Sequence, residues 1–328
     1  MKKVIFLSVL LVLCISFSLT AHPVSETAAV ENGKTEVRVA ALKGPTAMGL
    51  VKLMDEAESI PDELENSYSF VIESAPDAVT PLIAKGEVDI ACIPANLAAV
   101  LYNNTGKIQV VAVNTLGVLY LVGSSDLEIN SIEDIKGRTI YASGKGSTPQ
   151  YAVETILAGY GLTDGVDVTV EWKSEHAECV AALLSDSEAL AVLPQPFVTS
   201  AMMSNSSLVL IADLNDLWKN LSGTSLITGV TVVRREFAEN YPEAVNSFLT
   251  EYAASADWVN SNIEEASALI EKAGIIKAKV ALNALDKCNI VVWTGNKLRS
   301  NLSVYLEALY NQNPKSVGGS VPGEDFYY

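Results

Sequence analysis

The sequence predicts an α/β protein made of two successive α/β lobes with mainly parallel sheets, and three observations carry that prediction. Buried-strand patterns alternate with helical ones from Val37 to Ala212, the order that parallel sheets require. The alternation restarts after Asp126. The length of 328 residues suits two domains of roughly 150 residues each. With 49% hydrophobic and 19% charged residues, the chain can bury a core and is not of disordered composition.

Met1-Lys2-Lys3 is a basic start, Val4 to Leu19 is almost wholly apolar, and Thr20-Ala21 offers a small residue for cleavage. Residues 1–21 therefore read as a secretory signal peptide, with an apolar run short of the ~20 residues of a membrane span. Leu13 stands before Cys14 where a lipoprotein signal wants a small residue, so lipidation is not favoured and stays open. Residues 22–35 read as a flexible leader.

Val37 to Leu42 reads as the first strand, broken by Gly44-Pro45-Thr46, with a helix expected from Ala47 to Ala57. Strand Tyr68–Ile72, helix Pro76–Lys85 closed by Gly86, strand Asp89–Ile93, helix Pro94–Tyr102 and strand Ile108–Thr115 follow, and Val118 to Val122 continues extended. In the second stretch, Ser131 caps a short helix with Glu133 and Asp134 in its first turn, the arrangement that satisfies free N–H groups and the helix dipole. Strand Thr139–Ala142 leads to helix Thr148–Gly159, with Pro149 near its first position. Then come strand Val168–Val170, helix Glu175–Leu184, strand Ala189–Leu193, helix Phe197–Met203 and strand Leu208–Ala212. From 235 to 311 the period is helical: Phe237–Trp258, Ile263–Lys272, Lys279–Asp286 and Lys297–Asn311. A Gly/Pro-rich tail ends the chain.

The two stretches echo each other in their loops. Leu42-Lys43-Gly44-Pro45-Thr46 and Ala142-Ser143-Gly144-Lys145-Gly146-Ser147-Thr148 each end a strand, supply glycine and offer a hydroxyl where a helix begins. Helix starts carry unpaired N–H groups and suit acceptor-rich solutes. Ile93-Pro94-Ala95-Asn96 parallels Leu193-Pro194-Gln195. Both are buried strand, proline, then an amide at the carboxyl end of a parallel strand, where open α/β sheets bind ligands, and an amide both donates and accepts. Singly, Thr46, Ser147, Asn96 and Gln195 are ordinary caps or turn residues and Lys145 a solvated lysine. Paired across two lobes, they can enclose a solute.

The net charge of −17 repels nucleic acid and anionic lipid. The two histidines are His22 in the leader and His176, which reads as an exposed helix residue beside Glu175 and Glu178. Walker, Gly-x-Ser-x-Gly and His-Glu-x-x-His motifs do not occur. Beyond the signal, Cys92, Cys179 and Cys288 are an odd, widely spaced set that is neither a disulfide framework nor a metal pattern; a single bridge among them stays open. Tyr120, Tyr151, Trp172 and Trp293 are candidates for stacking on a flat ligand, against a core or interlobe packing role. No cofactor and no metal are expected.

Gly44-Pro45-Thr46-Ala47-Met48-Gly49, Gly86-Glu87-Val88-Asp89-Ile90-Ala91, Ile132-Glu133-Asp134-Ile135-Lys136-Gly137-Arg138-Thr139, Ser143 to Pro149, and the tail Asn313 to Gly319 with Asp325-Phe326-Tyr327-Tyr328 together resemble the type-II periplasmic binding proteins of ABC transporters. The branch they are most similar to is the nitrate/sulfonate/taurine and pyrimidine-precursor one, over Val37 to Tyr328. The resemblance implies two lobes joined by two hinge crossings near Leu116-Gly117 and Thr228-Gly229. Lobe I comprises 36–116 and 229–328, and lobe II 117–228. It places ligand contacts at Pro45, Thr46, Met48, Asn96, Thr115, Leu116, Ser143, Lys145, Gly146, Ser147, Thr148, Gln195, Thr228 and Gly229. It implies an exported monomer in the periplasm or at the outer face of the cytoplasmic membrane, delivering a small polar or anionic organic solute (sulfonate-, nitrate- or pyrimidine-like) to an ABC permease and ATPase, with no enzymatic activity. The alternatives are a sensor feeding a receptor and a secreted enzyme. Enzymes of menaquinone and thiamine precursor pathways share the fold, and the signal peptide argues against such a cytosolic role.

Overall fold

The computed structural model describes residues 30–31 and 33–328. The signal peptide, Cys14 and most of the expected leader lie outside the described residues. The first sheet begins with β1 (Val30–Glu31) and β2 (Lys34–Leu42), followed by α1 (Pro45–Met48), α2 (Val51–Ser59), β3 (Ser67–Glu73), α3 (Pro76–Lys85), β4 (Ile90–Pro94), α4 (Ala95–Thr105) and β5 (Ile108–Leu116). The second sheet takes β6 (Leu119–Ser124), β7 (Thr139–Ser143), α5 (Thr148–Gly159), β8 (Thr169–Lys173), α6 (His176–Ser185), β9 (Leu190–Pro194), α7 (Phe197–Ser204) and β10 (Leu208–Asp213). After α8 (Leu214–Ser222) the chain returns to the first sheet with β11 (Ile227–Arg234), α9 (Arg235–Asn240), α10 (Pro242–Ser261), α11 (Ile263–Lys272), α12 (Ala278–Ala284), β12 (Ile290–Trp293) and α13 (Gly295–Gln312).

The first sheet has the order β1-β2-β4-β11-β5-β12 with β3 on β2, and the second β10-β6-β9-β7-β8. The expected two-lobed α/β architecture is present, and both sheets are mixed. Strands joined by helical crossovers run parallel: β2 with β3 and β4, β7 with β8 and β9. Strands adjoining a passage between sheets enter antiparallel, β11 against β4 and β5, and β6 against β9.

Several helices differ from expectation for reasons outside their own sequence. The helix expected over Ala47–Ala57 is split at Gly49-Leu50. The Ser255 hydroxyl of α10 donates to the Gly49 carbonyl (2.7 Å) and accepts from the Leu53 amide (3.1 Å), inserting itself where a direct helical bond would run. Gly49 packs so tightly that a Cβ there would lie 3.0 Å from Ile290. Pro242 divides the expected Phe237–Trp258 helix, because it has no N–H and restricts Tyr241. Helix α8 was not expected, although Asp213 caps it by accepting from the Asn215 amide.

The passages between sheets are short. The chain leaves the first sheet through Gly117 and Val118 and returns through α8 and residues 223–226. Thr228 and Gly229, expected at the return crossing, lie inside β11, with Gly229 opposite both Pro94 and Thr115. Three hydrogen bonds brace the passages and the strand ends beside them. The Thr228 hydroxyl donates to the Leu116 carbonyl (2.6 Å), the Asn289 amide to the Gly117 carbonyl (2.5 Å), and the Leu226 N–H to Asn215 Oδ1 (3.1 Å). Asn289 adopts φ 46° and also accepts from the Leu116 amide. Gly117 has no room for a side chain: a Cβ would lie 2.5 Å from that of Asn215.

One apolar cluster crosses from lobe to lobe, joining Ile93 and Val113 to Ile140, Tyr151 and Trp218 through Leu302 and Tyr305 of α13. Burying such surface stabilises by roughly 25 cal/mol per Å², so the lobes are held in contact by more than hydrogen bonds. Asp89, fully buried, ties β2 to β11 by accepting from Arg38 and Arg234 at 2.8 Å each. The tail is also part of the core: Val317 and Phe326 are buried, and Asn103 donates to the carbonyls of Val317 and Ser320.

Candidate functional site

The carboxyl ends of β4 and β5 in one lobe and of β7 and β9 in the other meet at the interlobe seam, and the expected residues fall there into three groups. In the first, Thr46 donates to the Leu42 carbonyl (2.9 Å), which leaves its methyl beside Gly229. A Cβ on Gly229 would lie 2.7 Å from Thr46 Cγ2, 2.4 Å from Asn114 Oδ1 and 3.2 Å from Thr115 Cβ, so only glycine fits. Asn114 was not anticipated. It is fully buried, donates to Thr231 (3.0 Å) and accepts from Thr115 (3.0 Å). Pro45 opens α1 half-buried, whereas Met48 is buried among Val51, Ala256 and Ile270 and belongs to the lobe I core.

The second group links the lobes directly. Asn96, 1% exposed, accepts from the Thr148 hydroxyl of α5 (3.2 Å) and donates to the Ser316 carbonyl of the tail (3.3 Å). The Tyr305 hydroxyl lies beside Thr148. Ser147 donates to the Gly144 carbonyl (2.8 Å) and the Gly146 amide to Gln150; Lys145 and Gly146 are exposed. Thr46 and Ser147 are not hydrogen-bonded to each other.

The third group lies on lobe II. Gln195 is 1% exposed; its Oε1 accepts from the Thr199 hydroxyl (2.8 Å), and its Nε2 has no partner. Its backbone N–H donates to the Val118 carbonyl (2.9 Å), so it abuts the first passage. Ser143 is buried and hydrogen-bonded to His176 Nδ1. His176 was expected to be exposed; instead its ring packs 4.9 Å from that of Phe197, and burial pushes its pKa down to about 4. It is thus neutral at physiological pH. Burial also raises Cys179, one turn along α6, against the opposing effect of Ser143. The sequence signal available for His176 was its place at the first position of α6, after a strand end.

Cys92, Cys179 and Cys288 are free and buried. Tyr120 donates across the seam to the Lys287 carbonyl (3.4 Å), and Tyr151 is in the shared core. Trp172 lines an outer groove of about 380 Å³ between α5 and β8, and Trp293 carries Lys297 Nζ 4.1 Å over its ring. A second outer groove, about 450 Å³ between α2, β3 and α11, contains none of the expected ligand contacts. No cluster of metal-ligating side chains occurs among the described residues, nor any helix long and apolar enough to cross a membrane.

Two mixed sheets, two passages between them and strand ends meeting at a seam define the type-II periplasmic binding protein fold. The chain belongs to the menaquinone biosynthesis family, whose profile matches residues 45–292. Similar solved structures include an ABC transporter protein from Parabacteroides distasonis, with 25% identity, TM-score 0.74, and 89% of this chain and 98% of that one covered. The periplasmic aliphatic sulphonate binding protein SsuA from Escherichia coli has 18% identity and TM-score 0.72, with 89% and 92% covered. The periplasmic nitrate-binding protein NrtA from Synechocystis PCC 6803 has 13% identity and TM-score 0.64, with 85% and 82% covered. These neighbours are the kinds of binding protein that the sequence resembles. No curated protein matches the chain.

Proposed function

We propose that the chain is an exported, monomeric solute-binding protein that holds a small polar or anionic solute at the interlobe seam for an ABC permease and ATPase. The observation that carries this reading is the unpartnered Nε2 of buried Gln195, beside the first passage and on the same strand-end rim as Ser143 and the start of α5. A buried donor without an acceptor costs about 1–3 kcal/mol, and a solute oxygen would remove that cost. Support also comes from the transporter proteins that share the fold. The ligand contacts are Thr46, Thr115, Thr148, Gln195 and Gly229, with Lys145 at the rim and Ser143 behind the contact surface. A head group rich in acceptors, such as sulfonate or nitrate, suits donors gathered at helix starts.

The test is mass spectrometry of solute released by denaturing the purified protein, followed by calorimetry with taurine, ethanesulfonate, nitrate and 4-aminopyrimidine. Micromolar or tighter binding of one of them supports the reading; no released solute and no binding overturn it. The family's description favours a second reading, a catalyst on the same frame using Ser143 and His176. Recovery of the bound solute chemically unchanged after prolonged incubation counts against that reading, and steady conversion establishes it.

A further inference from the structure

The contact between Ser143 and His176 joins the end of β7 to the start of α6, and the chemistry of both partners is constrained. His176 is neutral, so one ring nitrogen carries a proton and the other accepts. Ser143 has one proton to give. Its neighbours are His176 Nδ1 and the Cys179 thiol. An imidazole nitrogen is a strong acceptor and a thiol sulfur a weak one, which favours the arrangement in which the hydroxyl proton goes to Nδ1. Cys179 in turn directs its S–H to the Glu175 carbonyl (3.6 Å). The ring proton then sits on Nε2, which has no hydrogen bond among the described residues. Phe197, whose ring packs against the imidazole, fixes its plane.

We propose that Ser143 locks His176 in the Nε2–H tautomer, making it a directional neutral donor on the lobe II wall that selects solutes presenting an oxygen acceptor. Gln195 Nε2, next to the start of α7 as His176 is at the start of α6, is the second donor of that wall. The lock matters because an imidazole free to exchange tautomers would greet donor and acceptor solutes alike. This inference rests on the solute-binding reading above.

The experiment uses the mature chain labelled with ¹⁵N-histidine, the His176 signals being assigned by comparison with His176→Gln. Long-range proton–nitrogen spectra at pH 7 are expected to show a protonated Nε2 and a bare Nδ1; a protonated Nδ1 overturns the proposal without any solute. Calorimetry with taurine, ethanesulfonate and nitrate is then run on a cycle of variants. Ser143→Ala is expected to weaken binding about tenfold, as a lost hydrogen bond of roughly 1.4 kcal/mol would. His176→Gln, which keeps an N–H at the same reach, should stay within about threefold, and adding Ser143→Ala to it should change nothing further. If Ser143→Ala weakens binding equally in both backgrounds, the serine acts on its own and the tautomer lock is wrong. If 4-aminopyrimidine binds and the three oxygen-bearing probes do not, the selectivity is wrong while the solute-binding reading stands. If nothing binds the wild-type chain, both fail. Unfolding midpoints of all variants report whether each is folded.

Discussion

Arg38, Asp89, Pro94 and Asn96 in lobe I have near counterparts in Arg138, Glu188, Pro194 and Gln195 of lobe II, with Glu188 one residue farther from its proline than Asp89 is and Gln195 one residue nearer than Asn96. The parallel register pairs Val39 with Ile90 and Ile140 with Leu190, which sets Arg38 beside Asp89 and Arg138 beside Glu188. Lobe I has buried its version: Asp89 is fully covered and bridged to two arginines, and Asn96 bonds to both the other lobe and the tail. Lobe II has left its version incomplete. Glu188 is 77% exposed in its ion pair with Arg138, and Gln195 keeps an unpaired amide. One motif thus serves as a structural clamp in one place and as a docking point in the other. The difference lies in what surrounds it: Arg234 of β11 and the C-terminal tail complete the lobe I copy, whereas β6, which pairs with β9 as β11 does with β4, is not an ion-pair partner of Glu188.

Substitutions at matching positions can break or sharpen that contrast. Asp89→Ala strips both arginines of their partner and should lower unfolding free energy by about 3 kcal/mol or more, read by urea denaturation. Burial alone raises Asp89, but the hydrogen bonds from Arg38 and Arg234 outweigh it and hold the carboxyl below its ordinary value. Its contribution is therefore complete above about pH 4 and lost as pH falls through the lower folded value. The gap between wild type and Asp89→Ala should accordingly close in acid; an unchanged gap at pH 2 would show that the residue acts by packing instead. Asn96→Ala should cost about 1–3 kcal/mol and speed amide exchange around Ser316, where it removes one of the tail's anchors. Gln195→Leu should cost under about 1 kcal/mol while weakening solute binding by calorimetry. If the two amides show the reverse order, the division between clamp and docking point is mistaken. Glu188→Ala should leave the unfolding midpoint within about 0.5 kcal/mol of wild type.

Local signals revealed much of this frame. Helices α3, α5 and α11 begin and end where caps, proline and glycine place them, as with Pro76 and Gly86 around α3, because those devices act within a few residues. The twin strand-proline-amide turns were visible for the same reason. Features imposed from afar were not. The hydroxyl that splits α1 from α2 belongs to Ser255, more than 200 residues away. Thr228 and Gly229 resemble a crossing but are drawn into β11 by strands on both sides. His176 sits among acidic neighbours in sequence, and its partners Ser143 and Phe197 are contributed by other elements. Met48 has the spacing of a loop contact, yet α10 and α11 pack over it. At the seam, the residue types were legible, and which of them keep a free hydrogen-bonding group was not.

Thr228 of β11 bonds to Leu116 where the first passage begins, Asn289 holds Gly117, and Asn215 of the return passage packs against Gly117 while accepting from Leu226, which leaves little independence to either connecting segment. Coupled in this way, they behave as a single torsion spring: rotating one lobe must twist both segments by matched amounts. Such a joint restricts the lobes to a common axis, so any excursion that exposes the seam would swing it open like a book instead of sliding or shearing it apart.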